Sequence, residues 1–288
     1  MFGQLTGRYG RGITRLGLLA VGVSAICNAA AQDPFDLLPD MTVVRGYLND
    51  TSIVTDVEPG RIHLRLSNAT ANIGEGPMFV TRIPSKQDEL REDILQRVSR
   101  SDGSTYERLA GTYIFHPEHG HVHVEGWAQY RLREVIGDDG VGDIVAEGEK
   151  TSFCLWDVLP NDLTLPNAPQ FREFTECNFG VQGISVGWAD LYDKYLPNQW
   201  IDITDIPAGE YWLESDVDPD NAFLELDETN NIVRARVTIP PGLTGCPAWH
   251  DSASTAGQGD MLSLFGVPVG LVAVALLRRR TDKRIHLG

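Results

Sequence analysis

The sequence predicts a mainly β fold, an antiparallel β-sandwich-like domain with long loops and few short helices. Short runs of alternating apolar and polar residues recur along the chain, Gly, Pro and Asn punctuate them, and a sustained helical period is nearly absent. Arg61 to Ser67 (RIHLRLS) and Pro77 to Arg82 (PMFVTR) each alternate over one strand length. Lys86 to Ser99 is the exception: Leu90, Ile94 and Val98 recur every four residues, which predicts one short surface helix. Val122 to Arg133 returns to alternation. So does Glu210 to Val217, entered through the turn at Ala208-Gly209, and Ile232 to Ile239 closes the set. There is no internal repeat.

The two ends read as export signals. Arg8, Arg11 and Arg15 precede an apolar run from Leu16 to Ile26 and small residues ending at Ala31, the pattern of a cleaved secretory signal peptide over residues 1–31. At the other end, Met261 to Leu277 is apolar or small and is followed by Arg278-Arg279-Arg280, Lys283 and Arg284. Residues 261–288 therefore read as a membrane anchor with a cytoplasmic basic end, or as a sorting tail removed by a protease. Residues 246–260 are the linker, rich in Ser, Gly, Ala and Thr from Asp251 to Asp260. Between the ends lies one domain, residues 32–245, long enough for a substantial core.

Charge narrows the partners. The whole chain carries a formal charge of −16. Without residues 1–31 and 261–288, eight of 24 basic side chains and one of 40 acids go, leaving 16 basic against 39 acidic, a net of −23. Such a surface repels nucleic acid and favours cations, amines included. Cys27 leaves with the signal peptide. Of the three cysteines that remain, Cys154 is expected to pair with Cys177 and close a short loop, with Cys246 free near the linker.

Four of the seven histidines fall in eight consecutive positions, His116-Pro117-Glu118-His119-Gly120-His121-Val122-His123. Imidazole is the commonest metal ligand, so the crowding points to a metal. On a helix the middle ring of His119, His121 and His123 would face away from the other two; on a strand all three share a face. A bend would help them converge, and Gly120 allows one. Val122 and Val124 then turn towards a core, and His116 falls out of register. His119-x-His121-x-x-x-Glu125 also fits the centre of a cupin metal motif, but Tyr113 and Leu132 stand where that pattern asks for glycine. Its fourth ligand would have to come from His250 or His286, both beyond the domain.

The histidines are followed in order by Trp127-Ala128-Gln129-Tyr130-Arg131-Leu132, Glu149 to Leu155 (EKTSFCL), Gln182 to Tyr192 (QGISVGWADLY), Gln199 to Asp205 (QWIDITD) and Glu225 to Asn231 (ELDETNN). Together they resemble the catalytic domain of the lysyl oxidase family over nearly the whole exported domain. The resemblance implies copper held by His119, His121 and His123. It also implies a lysine tyrosylquinone cofactor made from Lys150, the lysine of the K-x-S-F-C-L stretch, and Tyr192, which ends the Q-G-x-S-x-G-x-x-D-x-Y stretch. Such an enzyme uses dioxygen to convert a primary amine, or the lysine of a protein substrate, into an aldehyde with release of ammonia and hydrogen peroxide. Asp190, two residues before Tyr192, is a candidate base. Asp40, Glu225, Asp227, Asn230 and Asn231 offer oxygen ligands of the kind calcium prefers, Asp40 entering through the resemblance. Animal members carry cysteine where this chain has Glu118, and no long basic pro-segment precedes the domain. A surface-anchored amine oxidase is therefore the expectation, and an exported copper-binding domain without catalysis the alternative.

Overall fold

Alternation becomes strands. The structure is a computed structural model, and it describes residues 33–83, 91–116, 120–177 and 180–243. The first strands are Asp36–Leu37 (β1), Met41–Val43 (β2), Thr51–Val54 (β3), His63–Leu66 (β4), Asn68–Asn72 (β5) and Met78–Ile83 (β6). A four-residue helix, Arg45–Leu48 (α1), separates β2 from β3. Then come Arg91–Arg100 (β7), Thr105–His116 (β8), His121–Val124 (β9), Ala128–Ile136 (β10), Gly140–Glu147 (β11) and Leu159–Pro160 (β12). Val181–Ile184 (β13), Trp188–Tyr192 (β14), Trp200–Asp202 (β15), Gly209–Val217 (β16) and Ile232–Ile239 (β17) complete the chain.

The strands form four sheets in which every pairing is antiparallel: β13-β6-β7-β8-β9 with β1 against β7, then β11-β10-β16-β17, β12-β14-β5-β2 and β15-β4-β3. The mainly β expectation holds. The inward faces share one apolar core that includes Tyr113, Val124, Trp127, Tyr130, Leu132, Phe153 and Leu213, all at most 1% exposed. Two clamps hold the sheets in place. Asn72, at the end of β5, donates from Nδ2 to the Gly76 and Ile184 carbonyls. Glu214, fully buried on β16, is gripped by Arg131, Arg133 and Arg234.

The helix predicted over Lys86 to Ser99 is replaced by strand from Arg91 onward. Residues 84–90 lie outside the described residues, and Arg91 to Arg100 is β7, paired with β6 and β8. A four-residue recurrence is also twice the strand period, and the residue that hides the alternation is polar. Ile94, Gln96 and Val98 all point inward. Gln96 is tolerated there because its Nε2 donates to the Leu224 carbonyl while its Oε1 accepts from the Leu224 amide. Val122 to Arg133 likewise divides into β9 and β10 at Gly126, whose φ of +66° suits a turn.

Among the described residues no helix is long and apolar enough to cross a membrane. The expected signal peptide (1–31), the expected linker with Cys246, and the expected anchor at 261–277 lie outside the described residues.

Candidate active site

The β8–β9 hairpin builds the histidine cluster. Gly120, at φ +70°, donates to the His116 carbonyl, and the returning strand pairs His116 with His121 and Ile114 with His123. Directly paired residues share a face. His116 is therefore opposite His121 rather than out of register, because a hairpin reverses the chain where sequence reading extended it. The His116 ring centre lies 4.4 Å from that of His123, and its Nε2 sits 3.1 Å from Ser152 Oγ. Val122 and Val124 turn into the core as expected. His119 lies outside the described residues.

His121 Nε2 and His123 Nε2 stand 3.0 Å apart. Two imidazole nitrogens bound at about 2.0 Å to one ion, at angles between a right angle and tetrahedral, are about 2.8 to 3.3 Å apart. The pair thus fits a single transition metal, and nitrogen donors suit copper.

The segment carrying Lys150 is tied to β9 by an isolated bridge: Val124 and Phe153 exchange backbone hydrogen bonds, and the Trp127 amide donates to the Thr151 carbonyl. Gln182 braces the same junction, accepting from the Leu155 amide and donating to the Val122 carbonyl. These contacts hang Lys150 beside β14, whose last residue is Tyr192. Lys150 Nζ lies 4.8 Å from the centre of the Phe153 ring and 5.3 Å from that of Tyr192. The Tyr192 hydroxyl accepts from the Cys154 amide at 2.8 Å and donates to the Cys154 carbonyl at 3.1 Å. Cys154 is bonded to Cys177, with a Cα–Cα distance of 5.6 Å, so that expected pairing is present.

These groups line one cavity of about 370 Å³. His121, His123, Lys150 and Tyr192 supply its polar wall, while Trp156, Leu191, Leu196 and Pro197 supply an apolar one. Burial lowers the Lys150 pKa to about 8, although the Asp190 charge pulls the other way. Burial also raises the Tyr192 phenol well above its ordinary value, with Asp190 adding to it. Asp190 is 1% exposed, and burial, then the charge of Asp157, lifts its carboxyl far above the usual carboxylate range.

The oxygen-rich set lies elsewhere, at the start of β2 and in the β16–β17 connection. Asp40, Glu225 and Asn231 are buried there. Asn230 Nδ2 donates to Asp40 Oδ1 at 2.7 Å, and Asn231 Nδ2 to Glu225 Oε1 at 3.3 Å. Asp227 is the outlier, exposed and closed on its own turn through the Thr229 amide and hydroxyl. Sequence reading missed two neighbours. Carboxylate oxygens of Asp218, Glu225 and Glu228 lie within 4.8 Å of one another, and only the density of acids from Asp218 to Glu228 hints at this. Burial raises Asp218 to about 6 and Glu225 to about 9.

Residues 96–242, just over half of the chain, match the family model described as lysyl oxidase. The chain is 30% identical over 223 residues to lysyl oxidase homolog 2B of Danio rerio, covering 76% of this chain and 26% of that protein. It is 30% identical over 196 residues to lysyl oxidase homolog 2 of Gallus gallus, covering 61% and 24%. Against lysyl oxidase homolog 4 of Mus musculus it is 38% identical over 126 residues, covering 43% and 15%. The chain thus spans about a quarter or less of the length of these relatives. With the histidine pair, the Lys150–Tyr192 cavity and these matches in agreement, the chain belongs to the lysyl oxidase family.

Proposed function

We propose that the chain is an exported amine oxidase that converts primary amines, peptidyl lysine among them, into aldehydes with release of ammonia and hydrogen peroxide. His119, His121 and His123 hold copper, and Lys150 and Tyr192 form the lysine tyrosylquinone. The observation that carries the reading is that Lys150, Tyr192, His121 and His123 line one cavity that is otherwise apolar. When bound, copper and dioxygen supply the oxidising power that turns a phenol into a quinone able to condense with an amine.

The chain's own residues do the rest. Burial of Lys150 favours the neutral amine, which is the nucleophilic form. The Cys154 amide and carbonyl hold the Tyr192 hydroxyl in place, and Lys150 Nζ lies over that ring, 5.3 Å from its centre. The apolar wall accepts an alkyl chain and excludes water. Asp190, on the same face of β14 as Tyr192, is the candidate base. To accept a proton it must first ionise, and the ammonium of an arriving substrate beside it would promote that. Asp40, Glu225, Asp227, Asn230 and Asn231 are proposed to bind calcium away from the chemistry. Residues 1–31 direct export, and residues 261–288 anchor the domain of residues 32–245 or are clipped from it.

The test is hydrogen peroxide release from primary amines by copper-loaded protein, with inhibition by phenylhydrazine. Peptide mass spectrometry of the same sample should find Lys150 linked to Tyr192. Absence of both peroxide and the cross-link after exposure to copper and oxygen would overturn the reading.

A further inference from the structure

Behind the Lys150–Tyr192 cavity, three side chains bury oxygens outside hydrogen-bonding geometry. Asp190 leaves both carboxyl oxygens so, Gln199 its Oε1 and Tyr130 its hydroxyl, and all three residues are at most 1% exposed. The proposed chemistry uses only Asp190. Backbone pairing brings the others to it: Tyr130 on β10 pairs with Ser215 on β16, Ser215 Oγ donates to Asn68 Oδ1 at 3.0 Å, and Asn68 on β5 pairs with Tyr192. Asp190 shares the face of β14 that carries Tyr192. Gln199 is fixed beside them, its Nε2 donating to the Tyr192 carbonyl at 3.2 Å. Gln199 and Asn68 flank the Tyr130 hydroxyl, and the Asp190 charge reaches it.

The balance of donors decides what Tyr130 can do. Asp190 and Gln199 present acceptor oxygens, and among the unbonded atoms of this group only the Tyr130 hydroxyl can donate. The Leu191 amide and the Trp156 indole also face Asp190, yet neither closes a bond with it. A hydroxyl rotates to suit its surroundings. While Asp190 is neutral its own proton is a second donor, and Tyr130 is free to turn to Gln199 or Asn68; once Asp190 ionises, the hydroxyl turns its proton towards the new charge. The hydroxyl therefore favours the ionised form. Three other titratable groups face Asp190. Lys150, when charged, favours ionisation; Asp157, tied down by the Glu173, Phe174 and Ser185 amides and the Ser185 hydroxyl, opposes it; and the Tyr192 phenol lies on the same face.

We infer that Tyr130 is a positioning residue whose hydroxyl stabilises ionised Asp190 and so sets the pH at which that carboxyl can accept a proton. Its use in turnover rests on the proposal that Asp190 is the base of an amine oxidase. Its effect on the carboxyl needs neither copper nor the quinone, so the two can fail separately. The fold supplies a control. Tyr113 on β8 is as buried as Tyr130 and its hydroxyl is also without a partner, but burial alone acts on it.

The test follows the carboxyl itself in the full chain. Its protonated form gives an infrared C=O band, assigned as the band lost in Asp190→Asn, which is titrated from about pH 5 to about pH 10. In Tyr130→Phe, which keeps the ring and its edge contact with Phe153, the midpoint should rise by about half a pH unit or more. Tyr113→Phe should leave it in place. With copper-loaded protein and a primary amine, the acidic limb of kcat/KM for peroxide release should move the same way in Tyr130→Phe, whereas a merely structural tyrosine would lower the rate at every pH. A band that never titrates in the parent chain, a midpoint or limb that stays put in Tyr130→Phe, or an equal displacement in Tyr113→Phe would each overturn the inference. A shifted infrared midpoint in protein that releases no peroxide would sustain it and count against the oxidase reading alone.

Discussion

The cavity around Lys150 and the acid cluster around Glu225 are both buried, and burial acts on them in opposite directions. In the first it strips charge from a cation, bringing Lys150 down to about 8. In the second it strips charge from anions, lifting Asp218 to about 6 and Glu225 to about 9. Desolvation disfavours whichever form is charged. A lysine treated in this way becomes a nucleophile, whereas a group of carboxylates becomes a site that a divalent cation would stabilise. The two regions differ in assembly as well. The Lys150 cavity draws on β9, the Lys150–Leu155 segment and β14, joined by backbone hydrogen bonds. The acid cluster is made mostly within one connection, β16 to β17, closed by Asp40.

The contrast is broken most severely by removing the proposed cofactor pair. Lys150→Arg or Tyr192→Phe should lower amine-dependent peroxide release by about a thousandfold or more, because a covalent cofactor acts as a unit. Either variant with near-normal turnover would show that the cavity works by other chemistry. Next in size, His121→Ala or His123→Ala should weaken copper binding by about a hundredfold or more, read by competition with a copper chelator. Glu225→Ala should leave copper affinity untouched.

The third prediction concerns pH. Below about 8 most of Lys150 is the ammonium, and the neutral fraction rises about tenfold per pH unit. The rate of quinone formation, followed by its absorbance after copper and oxygen are added, should climb with pH and level off above 8. A flat profile would separate Lys150 from the chemistry.

The smallest effect belongs to the acid cluster, and its sign is opposite. Asp218 and Glu225 have folded values above their ordinary ones, so the stability linked to them is fully present below about pH 4. It is lost as pH rises through about 6 for Asp218 and about 9 for Glu225. Metal-free protein should therefore lose stability on going from pH 5 to pH 9. Calcium at a hundred times its dissociation constant should then raise Tm by about 5 to 10 °C near pH 8. Magnesium should do much less, and Glu225→Ala should abolish the calcium effect. Equal protection by both ions would remove calcium from the reading.

The strands and most of the site were legible where the signal was local. Period-two alternation placed β4, β6, β16 and β17 within a residue or two, and it put Val122 and Val124 in the core. β7 was not legible, because an inward Gln96 satisfied by Leu224 looks the same in sequence as a break in alternation. β5 was missed for a similar reason. Its residues, Asn68 to Asn72, show no apolar alternation, yet all five are buried, and Asn72 donates to the Gly76 and Ile184 carbonyls. His116 was misjudged because a hairpin, unlike an extended strand, returns the chain on itself.

The sequence by itself determined the donor chemistry: imidazoles at strand spacing, a lysine and a tyrosine in fitting contexts, and acids and amides near the C-terminal strands. It also determined the mainly β character, because alternation is a property of neighbouring residues. Only the tertiary structure decided that Lys150 lies 5.3 Å from the centre of the Tyr192 ring and that Asp218 and Glu228 join Glu225. Desolvation and convergence depend on which distant segments pack together, and no window of sequence contains that information.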